Sequence, residues 1–588
     1  MNRGQSIMRS LAFLSVLLLC GGALATANGP IVIDVKDNIK YQGLNRNGIE
    51  VFLNIPYGQD TGGANRFKPP RAFAPKPGST ITARSYGPAC PQSLGPGFPP
   101  LTLTNVTEVS EACLNLNVAR PSGICATDRL PVLVYIHGGG FWTGQNRELS
   151  NAPDGMILES IENGLPIIHV AINYRLGVFG FAQSGALHSE GSENAGLRDQ
   201  RLALEWVRDN IQHFGGDPNK ITISGQSSGG LAVGMQIMAY GGSKPVPFQQ
   251  AICQSQALEP GIRSNYTIEA FRLVVDAVGC NATALHSAET ITCLRGLDTS
   301  TIFNASESTY TDEVNVGDIW LPVVDGDFLP EAPSQLLAQG KFANVTAMMG
   351  WCEDDMDLFT DDGITSAQDT HDFIQAYAPA MTPANVDALL SLYPSAEFSA
   401  DPAASKSAEF YRSSRIFRDI LMVCEAVYYA EALAAAGNQV YLYDWNQTIL
   451  DPMLDYLYNE SGLGVIHTSE FAYIFGNISH FDTMGYPFDP TPADYGLVSR
   501  GSRSWTTFAS AGVPGLAGHN TFQGFATAVP AGADGGVNET FSVFVAGGPN
   551  EGFSPVDGPD SKPEIAVQKL RERCAFINSA EIIEQLKF

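Results

Sequence analysis

The sequence predicts an α/β chain with a large, mostly parallel central sheet, helices on both faces and helical insertions. Three observations carry that prediction. Strand-like and helix-like segments alternate through the centre of the chain, the strand-like runs are near-continuously apolar, and two of them end in glycine-rich turns. A strand covered by helices on both sides has no wet face, so it does not need to alternate polar with apolar residues.

Residues 1–27 precede that unit and read as a secretory signal peptide. Arg3 and Arg9 make a basic start, LAFLSVLLLC (residues 11–20) is too short to span a bilayer, and ALATA offers Ala25 or Ala27 for cleavage. Residues 28–588 are expected to form a single domain. IVIDV (31–35) and VFLNIPYG (51–58) read as short strands, and PQSLGPGFPP (91–100) as a loop. PVLVYI (131–136) is a buried strand entering a glycine turn, and PIIHVAINYR (166–175) is another β-branched run. In LRDQRLALEWVRDNIQHF (197–214), Leu202, Leu204, Trp206, Val207 and Ile211 fall at helical spacing. GGDP breaks the chain before strand KITISG (220–225), and GGLAVGMQIMAY (229–240) continues as helix. Beyond about residue 265 helix-like patterns dominate, and the sheet is expected to resume near VTAMMG (345–350) and VYLYDW (440–445).

Composition narrows the partners. With 61 acidic and 34 basic residues the formal charge is −27, which repels nucleic acid and anionic membranes. No run after the signal approaches transmembrane length, so a soluble, extracellular protein without stable membrane insertion is expected. N-x-S/T sequons begin at Asn105, Asn265, Asn281, Asn304, Asn344, Asn446, Asn459, Asn477 and Asn538, which suits a glycosylated surface. Ten cysteines, of which Cys20 leaves with the signal, are too few for a disulfide scaffold but enough for a few staples. The odd remainder leaves at least one thiol unpaired or paired with another chain. Neither HExxH nor paired CxxC occurs, and no metal or organic cofactor is expected.

Chemistry enters at GQSSGG (225–230). Glycine is 59 of 588 residues, so G-x-S-x-G alone is a pattern that composition supplies by chance. Its flanks give it meaning, because a strand entering and a helix leaving is the context of a nucleophile elbow. Gly225 and Gly229 lie two residues either side of Ser227, where a sharp turn has no room for Cβ atoms. The helix N-terminus that follows offers N–H groups and a positive dipole end to a developing anion. A serine nucleophile also needs a base and oxyanion donors. HGGGF (137–141) ends an earlier strand, and the N–H groups of Gly139 and Gly140 are expected to join that of Ser228. Phe141 and Gln226 read as walls of the substrate pocket.

The segments SEACLNLNV (110–118), VLVYIHGGGF, NYRLGVFGF (173–181), NAGLRDQRLALEWVRDNIQHFGGDP (194–218) and ITISGQSSGG closely resemble the type-B carboxylesterase family. This is the cholinesterase, carboxylesterase and fungal lipase branch of the α/β-hydrolases, and the likeness runs from about residue 30 almost to the C-terminus. The resemblance implies a triad in the order Ser, acid, His. MGWCEDDMDLF places Asp355 where the family's G-x-x-x-D-E-G acid belongs, with Asp instead of Glu and Met356 instead of the final glycine. Glu353 and Asp354 are adjacent rivals. GVIHTSEFAYIFG (464–476) matches the histidine motif and designates His467 among five histidines downstream of Ser227. In this reading His467 takes the proton of Ser227 and Asp355 orients the imidazole. The resemblance also implies disulfides Cys90–Cys113 and Cys280–Cys293 and a supporting role for Ser255. Cys125, Cys253, Cys352, Cys424 and Cys574 stay unassigned, with buried thiols expected at Cys253 and Cys352.

The substrate reading follows from the Cys90–Cys113 loop, which in lipases of this family carries an amphipathic lid helix. Here 22 residues lie between the cysteines, too rich in proline and glycine for such a helix. The expectation is a secreted esterase on small or soluble carboxylic esters, with a lipase on long-chain acylglycerols or sterol esters as the alternative. No tryptophan lies in that loop to stack on a quaternary ammonium, and Gln226 replaces the acid that cholinesterases place before the nucleophile. The alternative of another class is a non-catalytic cholinesterase-like binding protein. It is disfavoured because all three triad positions are kept and the chain ends at IIEQLKF without a membrane span.

Overall fold

The computed structural model describes residues 29–311, 319–482, 485–529 and 541–588; the segment expected to be a signal peptide, and Asn538, lie outside these. The apolar runs pair into one sheet of eleven strands. They are β1 Leu44–Arg46, β2 Ile49–Pro56, β3 Asn115–Pro121, β4 Leu130–Ile136, β5 Ile168–Ile172, β6 Gly216–Gln226, β7 Gln250–Gln254, β8 Thr346–Cys352, β9 Val440–Trp445, β10 Ser542–Ala546 and β11 Gly552–Pro555. Their spatial order is β11-β10-β9-β8-β7-β6-β4-β5-β3-β2-β1. All pairings from β5 across to β10 are parallel, and those outside them are antiparallel. Val132, Val134, Ile136, Ile168, Val170, Ile172, Ile221 and Ile223 are fully buried at the sheet centre. Each contributes about 1.5–3 kcal/mol by leaving water.

Three expected elements differ in detail. GGDP does not break the chain before its strand, since β6 already begins at Gly216 and slips register before Ile221. Residues 31–35 do pair, but as Ile31–Asp34 in a separate three-stranded sheet with Ile39–Gln42 and Thr80–Thr82. The helix expected over 197–214 forms as α1, Ala195–Asn210, and its end tightens into a 3-10 turn at Ile211–Phe214 before Gly215 reverses the chain at φ 90°. α2, Ser228–Met238, is buried along its whole length. Its glycines allow this, since a Cβ on Gly229 would sit 2.3 Å from the Ile136 carbonyl oxygen.

Register positions the site. Ile136 pairs with Gly225, Gln226 with Gln254, and Gln254 with Gly350, so the carboxyl ends of β4, β6, β7 and β8 lie side by side. From β4 the sheet grows one way to β5 and the other way to β6, and such a switch of direction opens a crevice at the strand ends. Disulfides Cys90–Cys113 and Cys280–Cys293 form as implied, and a third joins Cys424 to Cys574 across 150 residues. Cys253 and Cys352 are buried thiols, pushed well above the ordinary thiol range by burial, and Cys125 is half-buried outside the three bridges. Between Cys90 and Cys113 the chain forms no helix.

Candidate active site

Ser227 stands between the last residue of β6 and the first of α2, at φ 60° and ψ −130°. That conformation is sparsely populated and costs on the order of 1–3 kcal/mol, so its surroundings must impose it. Ser227 N–H donates to the Gln254 carbonyl at 2.9 Å, and its own carbonyl accepts from Leu231 and Ala257 N–H at 2.9 and 3.3 Å. The turn closes only on glycine: a Cβ on Gly225 would lie 2.3 Å from the Gly229 carbonyl oxygen.

The second glycine turn abuts the first. A Cβ on Gly138 would fall 2.5 Å from the Gln226 carbonyl oxygen and 3.0 Å from Ser227 Cβ. Gly139, Gly140 and Phe141 all have positive φ, at 102°, 58° and 62°. Phe141 N–H donates to the Ser228 hydroxyl at 3.2 Å and ties the turns together. The N–H groups of Gly139, Gly140 and Ser228 find no acceptor among the described residues, and they stand at the positive end of α2. His137, stacked on Tyr174 at 4.5 Å, is driven down to about 4 by burial and stays neutral. Gln92, just after Cys90, braces the same turn. Its carbonyl accepts from Gly144 N–H and the Thr143 hydroxyl, both at 2.9 Å, and its amide donates to the Gly144 carbonyl at 2.7 Å.

Asp355 and His467 meet from 112 residues apart. Nδ1 of His467 donates to Asp355 Oδ1 at 2.6 Å, and Asp355 Oδ2 accepts from the Ser255 hydroxyl and Cys352 N–H, each at 2.8 Å. Asp355 is fully buried, and its neighbours face elsewhere. Glu353 pairs with Arg415 at 3.0 Å, whereas Asp354 accepts from Val465 N–H at 3.0 Å and anchors the histidine loop. Burial and the adjacent Glu353 charge lift Asp354 to about 6. Glu470, three residues after His467, is fully buried beside Asp355 and accepts from the Gln254 amide at 3.0 Å and the Cys352 thiol at 3.2 Å; burial raises its carboxyl above the usual range.

Ser227 and His467 do not hydrogen-bond in this structure. The side-chain nitrogen of Gln226 lies against the face of the His467 ring, 2.8 Å from Nε2 and 3.3 Å from Nδ1. Gln226 is therefore turned onto the histidine, where the sequence suggested a pocket wall. The pocket role expected of Phe141 is corrected as well: its ring is 1% exposed, packed on Phe181 at 4.6 Å, and supports the turn from behind. The exposed ring is Phe359, edge-on to His467 at 5.7 Å, which no local motif announced. Gln92 was equally invisible, since a glutamine after a cysteine carries no pattern. Glu470 was findable, because it lies inside the histidine motif.

Of the sequon asparagines, Asn105, Asn265, Asn281, Asn304, Asn344 and Asn459 are exposed and Asn446 is half-buried. Asn477 is a correction. It is 4% exposed, its amide donates to the Ala152 carbonyl and its oxygen accepts from Gly155 N–H at 3.2 Å, so the side chain is enclosed by protein where a glycan would need open solvent.

Residues 37–530 match the model of the Carboxylesterase family. The chain belongs to the carboxylesterase family. Over 583 residues this carboxylesterase is 52% identical to a secreted lipase of Arthroderma benhamiae, covering 99% of this chain and 100% of that one. It is 36% identical over 505 residues to an inactive carboxylesterase-like protein of Byssochlamys spectabilis, covering 83% and 84% of the two chains. The crystal structure of EstA from Aspergillus niger superposes with a TM-score of 0.75 at 24% identity, over 96% of this chain and 100% of that chain. The architecture is the α/β-hydrolase fold. As a carboxylesterase the chain is an ester-hydrolysing serine hydrolase, and its disulfides and secreted relatives place it outside the cell. Among the described residues no helix is long and apolar enough to cross a membrane.

Proposed function

We propose that Ser227, His467 and Asp355 are the catalytic triad of this carboxylesterase, with the N–H groups of Gly139, Gly140 and Ser228 as its oxyanion hole. The observation that carries the reading is the 2.6 Å contact of His467 Nδ1 with buried Asp355, beside a strained Ser227 against which the glycine turn is packed. Ser227 Oγ attacks the ester carbonyl carbon while its proton passes to Nε2 of His467. The carbonyl π electrons move to oxygen, which the three N–H groups stabilise. The tetrahedral centre collapses, the ester C–O bond breaks, and the alcohol leaves with the proton from Nε2. Water, deprotonated by the same imidazole, attacks the acyl-enzyme and releases the acid and Ser227. Residues 28–588 act as one domain, a reading supported by a single sheet that collects strands from Leu44 to Pro555.

The substrate is a small or soluble carboxylic ester, a reading supported by the helix-free loop between Cys90 and Cys113. A second reading, a lipase, is favoured by the name of the 52% identical relative and by the exposed Phe98 stacked on Tyr458 at 5.3 Å. An organophosphonate should label the wild type and not Ser227→Ala; a wild type that resists labelling sinks the triad reading and revives a binding role. A chain-length series of nitrophenyl esters should peak at short acyl groups. A sharp rise in rate as an ester passes its solubility limit would instead select the lipase.

A further inference from the structure

The carbonyls of the HGGGF turn are held by hydrogen bonds, and one of these comes from a side chain. His137 Nδ1 lies 2.9 Å from the Gly138 carbonyl oxygen. A carbonyl cannot donate, so the ring proton sits on Nδ1. Nε2 agrees, since it is buried with no hydrogen-bond partner among the described residues, and an N–H there would be left unmade. Burial keeps the ring neutral, so this one N–H is all it has to give. The bond is also enclosed. The ring is 4% exposed, and a Cβ on Gly144 would lie 2.2 Å from His137 Nδ1 and 2.6 Å from the Gly138 oxygen, so Gly144 backbone covers both atoms. Gln92 in turn fixes Gly144 through its N–H and its carbonyl. Away from water such a bond is strengthened.

The Gly138 carbonyl and the Gly139 N–H belong to one planar trans peptide and point in opposite directions. A carbonyl held towards His137 therefore aims the Gly139 N–H away from it. Both flanking residues are glycines, with Gly139 at φ 102°, so no Cβ resists rotation of this peptide. The next peptide is held by backbone instead, because the Gly139 carbonyl accepts from Trp142 and Thr143 N–H, each at 3.0 Å. We propose that His137 is a positioning residue of the oxyanion hole, whose Nδ1–H holds the Gly138 carbonyl and so keeps the Gly139 N–H turned towards the developing oxyanion. The inference rests on the hole proposed above. Turned over, the same peptide would present its carbonyl oxygen, which repels the oxyanion. The donors act on the transition state, so the loss falls on kcat.

The test is steady-state hydrolysis of a soluble nitrophenyl ester by wild type, His137→Phe and His137→Asn. Binding of a trifluoromethyl ketone, whose adduct with serine carries the oxyanion charge, is measured beside it. Phenylalanine keeps a ring against Tyr174 and loses the donor. Asparagine loses the ring and keeps an N–H on Cγ, where Nδ1 stands. In His137→Phe kcat should fall about fivefold, the worth of one lost hydrogen bond, with KM little changed. Ketone binding should weaken by the same factor. His137→Asn should fall less than twofold in both. A ring that serves only packing would reverse that order. His137→Leu takes the place of His137→Phe if circular dichroism shows the latter unfolded. A folded donor-less variant with wild-type kcat overturns the proposal, as does an asparagine variant that falls as far as the donor-less one. A wild type that neither reacts with an organophosphonate nor binds the ketone overturns the triad reading itself, which is a separate and recognisable result.

Discussion

Gly138→Ala perturbs the junction of the two glycine turns without touching a reacting atom. The new Cβ would sit 2.5 Å from the Gln226 carbonyl oxygen and 3.0 Å from Ser227 Cβ. Carbon and carbonyl oxygen approach comfortably to about 3.3 Å, so the turns must separate by roughly 0.8 Å. The obstacle is backbone on a central strand and cannot rotate aside. Gly138 itself has no positive φ, so alanine suffers no other conformational penalty. A misplacement of about 1 Å at a reacting geometry costs roughly 10²-fold, or about 2.7 kcal/mol of barrier. The movement falls on the N–H donors of Gly139 and Gly140, which act on the transition state, so the loss should be in kcat with KM little changed. The assay is steady-state hydrolysis of a soluble nitrophenyl ester, with circular dichroism and thermal melting to show that the fold survives. A folded variant within threefold of the wild-type kcat would refute the reasoning.

Two further predictions concern stability. His169 is buried, with Nε2 unpartnered, and is driven down to about 3 mainly by burial. The unfolded chain takes up this proton below about pH 6.5 and the native chain does not, so stability is lost as pH falls through that window. By pH 4.5 the loss is roughly 2.7 kcal/mol, two units at about 1.36 kcal/mol each. Urea melts should therefore show His169→Gln losing less stability between pH 7 and 4.5 than wild type, and equal losses would contradict the assignment. The disulfides can be ranked by the loops they close. Loop-closure entropy assigns about 5 kcal/mol to Cys424–Cys574, with 150 residues, and about 3 kcal/mol to Cys280–Cys293, with 13. Paired Cys→Ala replacements compared by denaturant midpoint should keep that order, and the reverse order would exclude chain entropy as the main term.

The parts legible in sequence are those whose geometry is imposed locally. Ser227 is recognisable because the glycines on either side are the residues a strand-to-helix turn can accommodate, and the steric clash at Gly225 is intrinsic to that turn. Asp355 just after β8, and His467 in the loop before the short helix Phe471–Ile474, each stand inside a short local motif. The near-continuous apolar runs announced a parallel sheet because burial on both faces leaves no polar alternation to read. Gln226 looked like pocket wall because the one contact that redefines it, to His467, spans 241 residues.

By itself, then, the sequence determined the sheet class, the order of the motifs and the three residues of the proposed triad. Tertiary structure alone decided that Gln226 lies against the His467 ring, that Gln92 braces the glycine turn across 52 residues, and that Asp354 anchors the histidine loop rather than rivalling Asp355. It also decided that Cys424 bridges to Cys574 and that Asn477 is buried. The physical reason is common to all of these. Turn chemistry and burial periodicity act between neighbours along the chain, whereas hydrogen-bond partners and bridges are chosen among whatever groups the packed sheet brings within about 3 Å.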